Sequence, residues 1–277
     1  MPLEKINGVG IRYEDSRTSG PPLVLVHGSW GSHHSWDLVA PRLAGSFRVI
    51  CYDRRGHSES ERPPGQGSIH EDVADLAALI EHLGLAPAYV AGTSWGAILT
   101  LRLAITRPDL LRAIAGHEPP LIALIADDPE VGPIAKEARK KLAAVIDRLA
   151  AGDDVGGAKL FVETVAMGAG MWDKLPPHLQ QTFVENGPTY LDECRDPDQQ
   201  SIDLDKVRKI STPTLVTRGD QSLPMFPAIV RIVATSIPGA QEILFPGAGH
   251  VPHTTHPSEY VAAVTAFMTK PQGSLSE

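Results

Sequence analysis

Cysteines and clusters of basic residues are scarce in this 277-residue chain, and each shortage excludes a class of protein. The two cysteines, Cys51 and Cys194, are too few for a disulfide framework. Lys and Arg number 25 against 33 Asp and Glu, which gives a formal net charge of −8. Nucleic acids and anionic membrane surfaces are bound by clustered Lys and Arg, and the one basic run, Arg139–Lys141, is expected on the solvent face of a helix. The composition therefore argues against a nucleic-acid or membrane partner.

Long apolar runs are also missing. Nowhere do about 18 apolar residues follow one another, as a membrane-spanning helix requires. The N-terminal residues Met1–Lys5 lack the apolar segment of a secretory signal, so we expect a cytoplasmic protein. With 42% hydrophobic and 21% charged residues, the chain has an ordinary globular composition and is long enough to bury a large core.

The order of predicted strands and helices indicates a parallel sheet. Apolar runs at 23–26, 47–52, 88–91 and 111–115 are typical of strands buried on both faces. A helical pattern that begins with a capping box at Ser68 lies between the second and third of these runs. Strands that alternate with helices require a mostly parallel sheet with helices on both faces, so the predicted fold class is α/β.

This alternation stops at Glu118 and resumes near residue 206. The intervening segment shows helical patterns and no convincing strand; helices are predicted at 134–149, 160–165, 177–185 and 190–193. Strands then return at 213–217 and 242–245, and a helix at 258–268 closes the pattern. The sequence therefore predicts a core formed by residues 1–118 and 206–277, with a helical insertion at 119–205.

The stretch Gly92–Gly96 is the centre around which the chain is organised. An apolar run precedes it and a helical pattern follows, so Ser94 lies at the apex of a strand–turn–helix unit. Glycines two positions before and after Ser94 remove side chains that would strike the neighbouring strand and helix. The helix N-terminus presents unpaired N–H groups that suit a developing oxyanion. Ser94 is therefore the predicted nucleophile.

Loops after two later strands could supply the base and the acid that a serine nucleophile needs. Asp220 and His250 each follow a predicted strand, at the edge of the sheet where open α/β sheets bind ligands. Their order after Ser94 is the order of the hydrolase triad. Glu118 also follows a strand and stays open as the alternative acid, with Asp220 favoured.

We expect two backbone N–H groups to form an oxyanion hole. One belongs to Trp95, at the start of the helix, and the other to Ser29, in the loop after the strand at 23–26. Four side chains could line an acyl pocket, although packing within the protein explains them equally well: Trp30, Met167, Met171 and Trp172.

A metal site is not expected. His250, His253 and His256 are spaced three apart, but Pro252 and Pro257 interrupt any helix that would align them. No cluster of thiols or carboxylates accompanies these histidines.

From Leu3 to Met268 the chain resembles the α/β-hydrolase family. The matching motifs are His27-Gly28, the run Tyr52–Ser58, the Gly92–Gly96 elbow, and the loops Gly219-Asp220 and Gly249-His250. The resemblance implies a Ser–His–Asp triad, an oxyanion hole and no metal or organic cofactor. It also implies a helical cap inserted between two core strands, where residues 119–205 fall, and a structural role for His27.

The identity of the nucleophile narrows the chemistry. A dehalogenase or epoxide hydrolase of this fold would carry aspartate at the position of Ser94. The leading prediction is cleavage of a small-molecule carboxylic ester or lactone through an acyl-enzyme. Carbon–carbon bond hydrolysis, cofactor-free perhydrolysis and a non-catalytic small-ligand sensor stay open as alternatives.

Overall fold

A computed structural model describes residues 3–270 of the chain. Its strands are β1 (Glu4–Ile6), β2 (Val9–Ile11), β3 (Tyr13–Asp15), β4 (Pro22–Val26), β5 (Arg48–Tyr52), β6 (Ala88–Thr93), β7 (Leu111–His117), β8 (Thr214–Gly219) and β9 (Gln241–Phe245). Its α-helices are α1 (Ala40–Leu43), α2 (Ile69–His82), α3 (Trp95–Thr106), α4 (Gly132–Ala150), α5 (Asp154–Phe161), α6 (Pro177–Arg195), α7 (Leu204–Val207), α8 (Phe226–Ser236), α9 (Pro252–Thr255) and α10 (Pro257–Thr269).

Seven strands form one sheet in the order β3-β5-β4-β6-β7-β8-β9. The edge strand β3 pairs antiparallel with β5, and the other neighbours pair in parallel. The chain passes from β4 to β5 on one side and then to β6 on the other, so the strand order reverses between β4 and β6. Open α/β sheets bind ligands at the carboxyl ends of such strands. The predicted α/β class is confirmed.

Apolar side chains cover both faces of the sheet. Val24 and Val26 pack with α2, α3 and α8 in one cluster, whereas Leu23 and Leu25 pack with α1 and α10 in the other. Successive side chains of a strand point to opposite faces. A strand buried on both faces therefore appears in the sequence as a continuous apolar run. Cys51 lies in the core, with an exposed fraction of 5%.

The N-terminal hairpin is short. β1 and β2 pair around Asn7-Gly8, and this pairing ends at Ile11. The backbone N–H of Arg12 then donates to Ser60 Oγ at 2.9 Å, and β3 joins the main sheet. Arg12 is thus the point at which the chain crosses from the hairpin to the sheet.

We refer to residues 119–205, which lie between β7 and β8, as the helical insertion. Its described elements are all helical, and α4, α5 and α6 pack around a shared apolar cluster. The sequence predicts two helices at 177–185 and 190–193, but α6 is one helix that continues through Pro188. An interior proline removes one helical hydrogen bond, and the buried side chains of Tyr190 and Leu191 favour continuing the helix. None of the helices within residues 3–270 combines the length and the hydrophobicity needed to cross a bilayer.

Candidate active site

Ser94 lies between β6 and α3 in a backbone conformation that residues with side chains rarely adopt. Its φ is 54° and its ψ is −121°. A Cβ on Gly92 would lie 2.2 Å from the carbonyl oxygen of Gly96, and a Cβ on Gly96 would lie 2.1 Å from that of Val26. The turn therefore excludes side chains at both glycines, as the sequence predicts. The N–H of Ser94 donates to the carbonyl of His117 at 2.8 Å, which holds the strained turn.

The two predicted oxyanion donors lie on segments that pack against each other. Trp95 is the first residue of α3, so its N–H has no partner within the helix. Ser29 follows Gly28, where an added Cβ would lie 2.9 Å from Ser94 Cβ and 3.5 Å from Ser94 Oγ. This close approach brings the loop after β4 to the nucleophile. The use of these N–H groups as an oxyanion hole stays a prediction.

The acidic partner of His250 is Glu118. Nδ1 of His250 lies 2.7 Å from Glu118 Oε2, and the backbone N–H of Gly219 donates to Glu118 Oε1 at 2.8 Å. Asp220 is exposed, and its carboxylate accepts a hydrogen bond from the N–H of Gly247 at 2.8 Å. The expected hydrogen bond between Asp220 and His250 does not occur within the described chain. Glu118, the alternative acid, makes that contact instead, and which carboxylate acts in catalysis stays a prediction.

The ends of β7 and β8 explain this exchange. Glu118 follows the last residue of β7 with a φ of 45°, and its N–H still donates to the carbonyl of Thr217 in β8 at 3.1 Å. Asp220 instead closes the loop that carries His250, because Gln221 N–H donates to the Ala248 carbonyl at 2.9 Å beside the Asp220–Gly247 contact. Asp220 therefore supports the His250 loop and does not contact the imidazole.

The hydrogen bond from His250 and nearby charge keep Glu118 ionised despite its burial. Burial alone would raise the pKa of this 0% exposed carboxyl group, but the hydrogen bond from His250 and the nearby imidazoles outweigh burial and lower its pKa. His117 is also buried, and burial lowers its pKa to about 4, so it is neutral near pH 7. Nε2 of His117 lies 3.6 Å from Glu118 Oε2. An ionised Glu118 can orient His250 and stabilise its imidazolium form.

Strand pairing places Ser94 beside the Glu118–His250 pair. Thr93 and His117 are register partners in β6 and β7, so the residues that follow them, Ser94 and Glu118, leave the sheet side by side. The side chain of His250 is 37% exposed. No hydrogen bond joins Ser94 Oγ to His250 within residues 3–270. Such bonds are often long in free enzymes and shorten when substrate binds.

Most of the predicted pocket residues belong to the apolar cluster around which the helical insertion packs. Trp30 belongs to the same apolar cluster as Met171 and Trp172, whereas Met167 is 44% exposed. The Trp30 ring stacks on Phe161 with 4.9 Å between the ring centroids. The contribution of these four side chains to a substrate pocket stays a prediction.

Two groups of side chains bring potential metal ligands together within residues 3–270: His33, His34 and Glu59, and His117, Glu118 and His250. In the first group, Nδ1 of His33 contacts Asp53 at 2.9 Å and Glu59 binds the guanidinium of Arg12 at 3.1 Å. A neighbouring guanidinium disfavours a metal cation at that position. The second group contains the Glu118–His250 pair itself.

A buried ion network that sequence reasoning did not identify surrounds Arg54. Its guanidinium binds Asp72 at 2.7 Å and Glu193 of α6 at 2.5 Å. Asp72 also accepts a hydrogen bond from the indole N–H of Trp95 at 3.1 Å. The backbone N–H of Arg54 donates to Nε2 of His27 at 3.0 Å, a supporting contact that agrees with the structural role expected for His27. The presence of arginine in a sequence motif gave no indication of these distant partners.

Comparison with known proteins supports the same fold. A family model described as "alpha/beta hydrolase fold" matches residues 21–257. The crystal structure of an α/β hydrolase from Sphaerobacter thermophilus DSM 20745 is 30% identical, with a TM-score of 0.77, and the match covers 97% of this chain and 99% of that chain. An enol-lactonase from Burkholderia xenovorans LB400 is 22% identical with a TM-score of 0.74, over 97% of this chain and 100% of that chain.

Two relatives known from their sequences differ in how much of their length is matched. The uncharacterized hydrolase YraK of Bacillus subtilis is 37% identical over 125 residues, which are 44% of this chain and 45% of that protein. A Mycobacterium tuberculosis protein with the provisional name non-heme bromoperoxidase BpoC is 29% identical over 274 residues, or 94% of this chain and 97% of that protein. The chain therefore spans less than half of the first relative and nearly all of the second.

Proposed function

Because this chain belongs to the α/β-hydrolase family, we propose that it is a serine hydrolase that cleaves a carboxylic ester or a lactone through an acyl-enzyme at Ser94. One observation carries the proposal. Ser94 lies in a strained turn at the end of β6. At the end of the neighbouring strand β7, Glu118 is hydrogen-bonded to His250 at 2.7 Å. A hydroxyl, an imidazole and an ionised carboxylate in this order are the groups that acyl transfer requires.

Each group has a defined role in the proposed reaction. His250 takes the proton of Ser94 Oγ as the oxygen attacks the carbonyl carbon, and Glu118 stabilises the imidazolium that forms. The N–H groups of Ser29 and Trp95 bind the oxyanion. His250 then gives its proton to the departing alkoxide, and the acyl group remains bound to Ser94 as an ester. Water, activated by His250, hydrolyses that ester. Glu118 thus takes the role that the sequence assigned to Asp220.

Replacement of the nucleophile tests this proposal. Ser94→Ala should lower kcat on a short p-nitrophenyl ester by roughly 10⁴-fold or more, because no other group supplies the attacking oxygen. Alanine adds no bulk at the turn, so the melting curve should match that of the wild type. A fluorophosphonate should label the wild type once and leave the variant unlabelled. A variant that keeps a substantial part of the wild-type rate would show that Ser94 is not the nucleophile.

A substrate panel separates esters from lactones. Short aryl esters, simple lactones and acyl-homoserine lactones form the same kind of acyl-enzyme but differ in the group that leaves. With a lactone, the leaving alkoxide stays attached to the acyl group, so the ratio of kcat/KM between matched open and cyclic substrates measures the preference directly. Turnover of neither class, with ligand-dependent shifts of the melting temperature, would instead support the small-ligand sensor.

Perhydrolysis is a second candidate, favoured by the similarity to the protein provisionally named a bromoperoxidase over 94% of this chain. Hydrogen peroxide would replace water at the acyl-enzyme, release a peracid and return a proton to Ser94 through His250. The peracid then transfers an oxygen atom to bromide, which gives hypobromous acid and leaves the carboxylate. Bromination of monochlorodimedone in acetate, peroxide and bromide, lost in Ser94→Ala, would support this activity.

A further inference from the structure

One face of α6 carries three polar side chains that are buried. Asn186, Thr189 and Glu193 are 0%, 9% and 5% exposed. Their spacing of three and four residues places them on the same side of the helix. Buried polar groups are costly unless they are hydrogen-bonded. All three find partners in the loops that follow β4 and β5, so this face of the helical insertion is bound to the core by polar contacts.

The side-chain amide of Asn186 joins the two loops. Its Oδ1 accepts a hydrogen bond from the backbone N–H of Ser58 at 2.7 Å. Its Nδ2 donates to the carbonyl of Gly31 at 2.9 Å and lies 3.3 Å from the carbonyl of Trp30. These partners are 128 to 156 residues away along the chain, so the contact exists only in the folded protein.

Two of these partners have strained backbones. Trp30 has a φ of 65° and Ser58 a φ of 46°, although both carry side chains. Such conformations persist only where the surroundings hold them. Asn186 binds the carbonyl of Trp30 and the N–H of Ser58, and is therefore a shared support for both strained residues.

The loop that Asn186 supports also carries the predicted oxyanion donor. Ser29 immediately precedes Trp30, and Gly28 before it packs directly against Ser94. We propose that Asn186 is a positioning residue for the oxyanion hole: through the carbonyls of Trp30 and Gly31 it holds the loop in which the Ser29 N–H faces the reacting oxygen. This inference rests on the proposed hydrolase function and deepens it.

The other two buried polar residues of α6, Thr189 and Glu193, also bind the core. Thr189 donates a hydrogen bond to the carbonyl of Gly56. Glu193 binds Arg54 at 2.5 Å, and Arg54 in turn binds Asp72, the partner of the Trp95 indole. The helical insertion therefore contacts the surroundings of both predicted oxyanion donors. Movement of α6 away from the core would release the loop that carries one of them.

Substitutions at Asn186 test this role against a control on the same helix. Asn186→Ala removes all the amide contacts, whereas Asn186→Asp keeps the size and the acceptor for Ser58 but cannot donate to the two carbonyls. Both should lower kcat on a p-nitrophenyl ester by roughly 10- to 100-fold, below the loss from deleting a donor outright, while KM changes by less than about threefold. Gln181→Ala removes an exposed amide that contacts Glu185 at 2.8 Å and should leave kcat unchanged.

A second measurement separates positioning from simple loss of structure. A trifluoromethyl ketone adds to Ser94 and places an oxyanion in the hole, so its affinity should fall in parallel with kcat in both Asn186 variants. Variants with unchanged kcat and ketone affinity, whatever their melting temperature, would overturn the inference. A rise in KM alone would also overturn it, because Asn186 would then act in substrate binding.

The wild-type protein shows whether the hydrolase proposal itself fails, independently of the Asn186 variants. If the wild type neither turns over esters nor reacts with a fluorophosphonate, the proposed function fails and this inference fails with it. If the wild type does both and the Asn186 variants match it, only the role of Asn186 is wrong.

Discussion

Trp30, Ser94 and Glu118 have φ values of 65°, 54° and 45° and lie after three different strands at one edge of the sheet. Strain of this kind costs about 1–3 kcal/mol per residue and persists only where the surrounding structure holds it. The N–H of Ser94 is held by the carbonyl of His117, and that of Glu118 by the carbonyl of Thr217. At the residue scale, sharp turns at the strand ends therefore bring the proposed nucleophile and its acid together.

The two candidate acids are distinguished by a pair of isosteric substitutions. Glu118→Gln should lower kcat by about 10³–10⁴-fold, because an amide cannot hold His250 in the productive tautomer or stabilise its imidazolium form. Asp220→Asn should cost tenfold or less, because Asp220 accepts a hydrogen bond from the Gly247 backbone and does not contact the ring. Steady-state kinetics on one ester measure both. The reverse ranking would return the acid to Asp220.

At the element scale, the position of each helix start determines which polar groups meet. α2 begins after Ser68, whose Oγ accepts from the Glu71 N–H at 3.3 Å, while Glu71 Oε2 accepts from the Ser68 N–H at 3.1 Å. This capping box is the one predicted from the sequence. One residue further along, Asp72 meets Arg54 and Trp95. A local cap thus positions a residue of the buried ion network.

Removing this cap should destabilise the protein. Ser68→Ala is expected to lower the free energy of unfolding by about 1 kcal/mol, because the Glu71 N–H loses its partner. Ser68→Asp, which also accepts at the helix N-terminus, should remain close to the wild type. Urea unfolding measures both variants: the urea concentration at the midpoint should shift while the dependence of the unfolding free energy on urea stays the same. An equal loss in both variants would mean that the cap contact is not the stabilising feature.

At the scale of the whole molecule, buried histidines link stability to pH. His27, His117 and His253 are 0%, 1% and 3% exposed, and burial lowers their pKa values to about 3, about 4 and about 3. Between about pH 6.5 and pH 4 the unfolded chain binds protons that these groups exclude in the folded state. Their contribution to stability is therefore complete above the unfolded pKa and is lost as the pH falls.

His253 offers a test of this linkage, because its ring packs on Trp36 with 4.8 Å between centroids and phenylalanine can replace it. As the pH is lowered from 6.5 to 5, the free energy of unfolding of His253→Phe should rise by about 1.5 kcal/mol relative to that of the wild type. The difference between the two proteins is the measure, because the buried Asp72 and Glu193 have raised pKa values and titrate with the opposite sign. His178→Gln, at an exposed position, should follow the wild type. If the curves of unfolding free energy against pH are parallel for His253→Phe and the wild type, the prediction is wrong.

The features that could be predicted from the amino-acid sequence are those whose causes are local. Apolar runs identified the buried strands, because a strand covered on both faces needs no polar side. The glycines around Ser94 identified the turn, because a side chain at Gly92 would strike the backbone of Gly96, four residues on, and one at Gly96 would strike the end of the adjacent strand β4. The helical insertion at 119–205 appeared as an interruption of the strand–helix alternation. These signals were sufficient for the α/β fold and for Ser94 and His250 as candidates.

Which distant groups contact each other depends on how the folded chain is packed. Glu118 and Asp220 both follow strands that end at the same edge, and the sequence contains no measure of which carboxylate reaches His250. That choice depends on the Glu118 backbone and on the loop that Asp220 closes. The partners of Asn186, and Glu193 as a partner of Arg54, are likewise more than a hundred residues away in the chain. Spacing and periodicity describe neighbours along the chain, whereas these contacts depend on how β7, β8 and α6 are packed in space.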